Sequence, residues 1–334
     1  RIHSKMKALV YDGPKMLTFR DVATPVPQAG QQLIKVLSVG ICGSDMHAYL
    51  GHDERRPAPL ILGHEAAGEI VGGPRDGERI TVNPLVTCGT CHACTSGRDN
   101  LCPERLIISM PPREGAFAQY ITMQDNNLVT VPKNISLDAA SLAEPIACGW
   151  HTVRLARAAL NEDAKTALVI GGGAIGLGAA LSLTAQGISN VTIVEPNKLR
   201  RNVLNDKCNQ TAITPNNLEI DALFDLVIDG VGHAATRATA SAHARPGGVI
   251  GHIGLGEATG GLDIRRMTLQ EITFIGTYTY TAQDFRDTAA AIFDGRLGRL
   301  DWTEQRPLSD GASAFTDIYA GQTAEPKVIL HPHS

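Results

Sequence analysis

The chain has 334 residues, 43% of them hydrophobic and 19% charged, with a net charge of −4. This length exceeds what one core of ordinary size serves, so two domains are expected. The near balance of charge argues against a basic nucleic-acid surface and a polybasic membrane patch, and no run approaches the ~18 apolar residues of a membrane span.

No secretory signal opens the chain. Residues 1–5 precede Met6 and read as an expression remnant, so fold reasoning starts at Met6. Up to about residue 145 the sequence shows short apolar segments such as 32–38 and 69–72, bounded by Gly or Pro, which predict an irregular, mostly β region. After Pro145 the texture changes. Apolar strands at 167–170, 191–194, 226–228, 249–250 and 272–275 alternate with helical stretches such as 177–186. That alternation predicts an α/β domain with a parallel, doubly wound sheet. The segment from about 301 ends in the apolar strand 327–330 and is expected to return to the first domain. The expected divisions are 6–147, 148–288 and 289–334.

Of the seven cysteines, Cys88, Cys91, Cys94 and Cys102 fall within 15 residues in the spacing C-x2-C-x2-C-x7-C. Four thiolates close a tetrahedral site around zinc and leave no position for substrate, so this is a structural-metal signal. Metal-binding thiols in a chain without an export signal imply a reducing, cytoplasmic setting.

A second set lies elsewhere. Cys42 sits in a Gly-Ile-Cys-Gly-Ser-Asp-Met-His run with Ser44, Asp45 and His47, His64 and Glu65 follow Gly63, and Glu144 precedes Pro145. Cysteine, histidine and a carboxylate make a catalytic zinc set of three protein ligands with one open position. Asp45 is placed to accept a hydrogen bond from the far ring nitrogen of His64. His92, His151, Cys148 and Cys208 read as ordinary loop or core residues.

Gly171, Gly173 and Gly176 form G-x-G-x-x-G between a strand and a helix, the context that a dinucleotide fingerprint requires. The helix N-terminus offers free N–H groups to pyrophosphate. Glu195 ends the next strand, 19 residues after Gly176. There it can bind the adenosine ribose hydroxyls and repel a 2′-phosphate, favouring NAD over NADP. Lys198, Arg200 and Arg201 just beyond it are the opposing signal.

Taken in order, the Gly63–His64–Glu65 motif, the cysteine lobe and the glycine fingerprint resemble the zinc-containing medium-chain alcohol dehydrogenases. Within that family the Cys42 run and the Glu144–Pro145 pair look most like the sorbitol, iditol and threonine dehydrogenases. The resemblance implies a GroES-like catalytic domain and a Rossmann domain with the site between them. It also implies catalytic zinc on Cys42 and His64, with either Glu65 or Glu144 as the third ligand. By the same resemblance Ile175 lies over the pyrophosphate and Arg200 near the adenosine end. Ile253, Gly254 and Leu255 lie beside the nicotinamide, and Tyr278, Thr279 and Tyr280 form the loop under nicotinamide and substrate. Sorbitol dehydrogenases carry Phe-Arg-Tyr in that loop, so the missing arginine counts against sorbitol itself.

The expected reaction is NAD-linked oxidation of a secondary alcohol, a polyol in the first instance, to a ketone. Zinc acts as Lewis acid, and the proton leaves through Ser44 and then His47, with Glu144 as an alternative base. The partner is a small-molecule alcohol, and relatives commonly pair as homodimers or homotetramers through the Rossmann sheet edge. L-Threonine oxidation is the rival within enzymes. A zinc-free reductase or a scaffold-retaining binding protein would need broken ligand positions, which this sequence does not show.

Overall fold

The computed structural model describes residues 2–334. Its first half is built on a seven-stranded sheet centred on the strand Gln31–Gly40. Glu65–Val71 and Tyr120–Gln124 pair with it antiparallel, and so does the C-terminal strand Lys327–His331. Ile34 and Val36 share one face of Gln31–Gly40, and the register shift between Val36 and Ser38 brings Val39 to that face, so all three join one core with Phe117 and Phe315. A second, three-stranded sheet joins Lys5–Gly13 to Met16–Ala23 and Leu60–Ile61. Residue 5 is therefore part of the fold: Lys5 pairs with Ala23, and Ser4 O accepts a hydrogen bond from Thr24 N at 3.0 Å. Starting the fold at Met6 was too late, because backbone pairing here does not depend on an apolar side chain.

The second half is a six-stranded, all-parallel sheet. Its spatial order is Ala212–Ile213, Asn190–Val194, Thr166–Ile170, Phe224–Asp229, Ala244–His252 and Thr273–Gly276. This is the doubly wound arrangement, with the order reversing beside Thr166–Ile170 and the strand C-termini opening toward the glycine loop. The helix after that loop is Ala174–Ala185, three residues earlier than its apolar pattern suggests, because Gly173 in extended conformation serves as its N-cap.

The halves are joined by the helix Ala143–Leu160, which starts beside the metal set and runs under the parallel sheet. Pro145 is tolerated in its first turn, where no intrahelical N–H is required. It crosses Ala174–Ala185 at Gly149 and Gly178, where a Cβ on Gly149 would collide with the Ala179 backbone. The expected division after residue 147 falls inside this helix, and the one after 288 falls inside Ala282–Phe293. The last strand, Lys327–His331, lies in the first sheet between Gln31–Gly40 and Thr303–Pro307. Among the described residues no helix is long and apolar enough to cross a membrane.

Candidate active site

Three strand ends converge on the metal set. Register pairs Gly40 with Glu65 and with Ile329, so Cys42, His64, Glu65 and Lys327 meet at one end of the sheet. Gly40 must be glycine, since a Cβ there would overlap the Glu65 carboxylate. One ligand atom from each of Cys42, His64 and Glu65 lies within 4.8 Å of the others. Asp45 is fully buried and staples the two segments: its oxygens accept from Cys42 N at 2.9 Å and Gly63 N at 3.2 Å. Its Oδ1 stands 3.7 Å from His64 Nδ1. That exceeds a hydrogen bond, so the expected bond to the far ring nitrogen is not made, because the carboxylate is already engaged by backbone N–H groups.

Glu144 reaches the same point from the joining helix. Its Oε2 lies 3.8 Å from His64 Nε2, and its Oε1 accepts from the Tyr280 hydroxyl at 2.9 Å. Burial, then the neighbouring Glu65 and Cys42, push the Glu144 carboxyl up to about 8, against the pull of His64. Burial and then Glu65 push the Cys42 thiol up to about 11. A site that crowds a thiol and two carboxyls and leaves the buried His64 Nδ1 without a hydrogen-bond partner fits a divalent cation, whose charge reverses those shifts. Ser44, two residues along the chain, works weakly against burial and Glu65 and pulls the Cys42 thiol down. His47 is exposed on the short helix Gly43–Tyr49, its ring 5.4 Å from that of His52.

The cysteine lobe also fits a metal. The sulfurs of Cys88, Cys91, Cys94 and Cys102 lie within 4.8 Å of one another. Backbone N–H groups aim at them, Gly89 N at Cys94 Sγ (3.3 Å) and Cys91 N at Cys88 Sγ (3.3 Å) among them. Donors from Thr90 and then Cys91 draw the Cys88 thiol down to about 6, toward the thiolate that binds zinc.

At the glycine loop, a Cβ on Gly176 would collide with Gly171 O, and Gly171 itself has φ +97°. Both positions therefore require glycine. Glu195 is buried, and its carboxylate accepts from Gly172 N (3.1 Å) and Asn197 N (2.7 Å), which hold it at the end of its strand. Arg200 packs beside Gly173, and its Nε has no partner in the protein. Ile175 lies in the first turn after the loop. Ile253 and Gly254 donate their N–H groups to Asp229 O at the C-terminal end of the sheet. Leu255 is 85% exposed and lines a cavity of about 730 Å³ with Arg237, His252 and Phe274. Free N–H groups, a held carboxylate and an orphaned guanidinium fit a dinucleotide.

Residues 28–133 match the alcohol dehydrogenase GroES-like domain, and residues 174–294 match the zinc-binding dehydrogenase family. L-Galactonate-5-dehydrogenase of Escherichia coli (strain K12) is 31% identical over 88% of this chain and 89% of its own. The chain belongs to the zinc-containing medium-chain alcohol dehydrogenases. Sorbitol dehydrogenase of Bacillus subtilis (strain 168) is 35% identical over 76% of each chain. A crystal structure of an alcohol dehydrogenase from E. coli CFT073 complexed with NADH superposes with a TM-score of 0.88, at 25% identity, over 98% of this chain and 100% of the other. As a zinc-containing alcohol dehydrogenase, the protein is an oxidoreductase that acts on CH–OH groups with zinc and NAD.

Four groups around this dehydrogenase site escaped the sequence reading. Lys327 opens the terminal apolar strand, where a lysine before three apolar residues is the available signal; its Nζ lies 2.8 Å from Glu65. Arg56 is buried and donates to Ser44 O (3.2 Å) and Ser109 O (3.1 Å). Arg105 stands 4.6 Å over the Tyr278 ring. His151, read as structural, is indeed buried against Asp284, but its other nitrogen faces Asn100 of the cysteine lobe, a neighbour that no local pattern announces.

Proposed function

We propose that this dehydrogenase oxidises a secondary hydroxyl of a polyol, with Cys42, His64 and Glu65 holding the catalytic zinc and Glu144 standing beside it. The observation that carries the reading is the 4.8 Å cluster of Cys42, His64 and Glu65, reached from the joining helix by Glu144 and, through Glu144, from the other domain by Tyr280. When bound, zinc supplies Lewis acidity that lowers the substrate hydroxyl's pKa, and NAD accepts the hydride. Ser44, next to the Cys42 sulfur, takes the substrate proton, and His47, exposed on the same short helix, passes it to solvent. The Tyr280 hydroxyl holds Glu144 in place as an alternative base. Cys88, Cys91, Cys94 and Cys102 hold the structural zinc.

The loop 278–280 lies under nicotinamide and substrate, Gly171, Gly173, Ile175 and Gly176 carry the pyrophosphate, and Ile253 to Leu255 flank the nicotinamide. Glu195 binds the adenosine ribose and sets the preference for NAD, with Arg200 at the adenosine end. The free sheet edge at Thr273–Gly276 is the pairing surface of a homodimer or homotetramer; a stable monomer in sedimentation would exclude that. The metal-binding thiols match a cytoplasmic setting.

A sugar acid is the second reading. Relatives act on sorbitol and on L-galactonate by their names. Here Thr279 stands where the Phe-Arg-Tyr pattern has arginine, while Arg105 lies over the Tyr278 ring. A guanidinium at that position suits a carboxylate. NADH formation across polyols, aldonic acids and L-threonine, with and without prior zinc chelation, tests both. Chelator-sensitive turnover of polyols supports the first reading, and of aldonic acids alone the second. Turnover of threonine alone, or activity that survives complete zinc removal, rejects both.

A further inference from the structure

The cysteine lobe does more than order itself. Its fourth cysteine, Cys102, is buried and directly follows the short helix Asp99–Leu101, to which it is tied by Cys102 N donating to Asp99 O at 3.0 Å. Two side chains of that helix cross to the other domain. Asp99 Oδ2 accepts from Ala282 N at 2.9 Å, at the first turn of Ala282–Phe293. Asn100, 3% exposed, donates from Nδ2 to Tyr278 O at 2.7 Å. The same nitrogen stands 3.5 Å from His151 Nε2, while His151 Nδ1 lies 2.5 Å from Asp284 Oδ2. Arg105 covers the Tyr278 ring from the lobe side.

These contacts bracket a strained residue. Thr279 has φ +46°, a left-handed conformation that a β-branched side chain adopts only when its surroundings impose it. On one side Tyr278 O is held by Asn100, and on the other the Tyr280 hydroxyl is held by Glu144.

We propose that Asp99 and Asn100 are positioning residues for the reacting centre: the lobe clamps the 278–282 segment and, through Tyr280, sets the Glu144 carboxylate beside His64. The proposal rests on the reading above that loop 278–280 flanks substrate and nicotinamide. It makes the structural zinc a support for catalysis in the same chain, acting through Tyr278 O and Ala282 N.

The test is a double-mutant cycle on the zinc-loaded, full-length enzyme, with kcat, KM, zinc content and thermal unfolding measured together. Asn100→Ala is expected to keep its full zinc content and to lose kcat about tenfold, the loss of one buried hydrogen bond at a catalytic loop. Tyr280→Phe is expected to lose about the same, and the double variant little more, because the two act in series. Asn100→Asp keeps the shape but turns a donor into an acceptor facing Tyr278 O, so it should be at least as slow as Asn100→Ala. Multiplying losses of about a hundredfold in the double variant, or full activity in Asn100→Asp, would overturn the proposal. Full activity in Tyr280→Phe would remove the loop reading first, and the positioning role with it.

Discussion

The Lys327 ammonium and the Glu65 carboxylate lie 2.8 Å apart, both nearly inaccessible to solvent, on strands separated by almost the whole chain. Lys327 also donates to Ile41 O at 2.7 Å, the carbonyl just before Cys42. Burial works against its charge, but Glu65 and then Cys42 outweigh it and hold the lysine charged. Glu65 therefore has a cationic neighbour whether or not zinc is bound.

Removing that neighbour should destabilise the zinc-free protein most. Lys327→Met leaves Glu65 buried and unpaired, a situation that costs about 3–5 kcal/mol. With zinc bound the metal supplies a counter-charge, so the loss should be clearly smaller. Denaturant unfolding with and without chelator measures both, and equal losses would contradict the arrangement.

The two cysteine sites should separate in metal analysis. Cys42→Ser is expected to lose the catalytic zinc, retain the lobe zinc, and drop kcat/KM by at least about a hundredfold, the upper range for losing even an outer-shell partner. Cys102→Ser should lose the lobe zinc. Loss of both metals from either variant would mean that the sites are not independent.

Glu195 should govern cofactor choice. Its carboxylate is aimed by Gly172 N and Asn197 N, so Glu195→Ser removes a charged acceptor for the ribose and should lower kcat/KM with NAD about 10- to 100-fold. Use of NADP should rise at the same time, because Lys198 and Arg200 no longer oppose a fixed negative charge. Unchanged preference between the two cofactors would assign the selection elsewhere.

Asp284 predicts an acid limit to stability. Although burial opposes ionisation, hydrogen bonds from His151 and Arg154 hold its carboxyl well below the usual carboxylate range. A depressed folded pKa means stability that is present above the unfolded value, about 4, and is lost as pH falls toward the folded one. Asp284→Asn should therefore be less stable than the parent at pH 7, and the gap should narrow as pH drops below about 4. A gap independent of pH, followed by circular dichroism through urea titrations, would rule out the ionised carboxylate as its source.

Local spacing carried the cysteine lobe and the glycine loop, because each is written in residues only a few positions apart in the chain. The strand–helix alternation likewise stood in the sequence, since apolar runs of strand length bounded by turns are a local property. Cys42 and His64 were legible in type and order. The identity of the third ligand was not: Glu65 and Glu144 differ only in which strand end or helix turn delivers them, and the fold puts Glu65 in the cluster with Glu144 3.8 Å from His64.

The amino-acid sequence by itself determined the candidate metal-ligand types, the glycine loop and the two-part architecture, since each depends on near neighbours. Only the tertiary structure decided what surrounds them. Lys327 meets Glu65 across 262 residues, Asn100 meets the Tyr278 carbonyl across 178, and Tyr280 meets Glu144 across 136. Such pairs are set by strand register and domain closure, which join groups that no periodicity or motif relates.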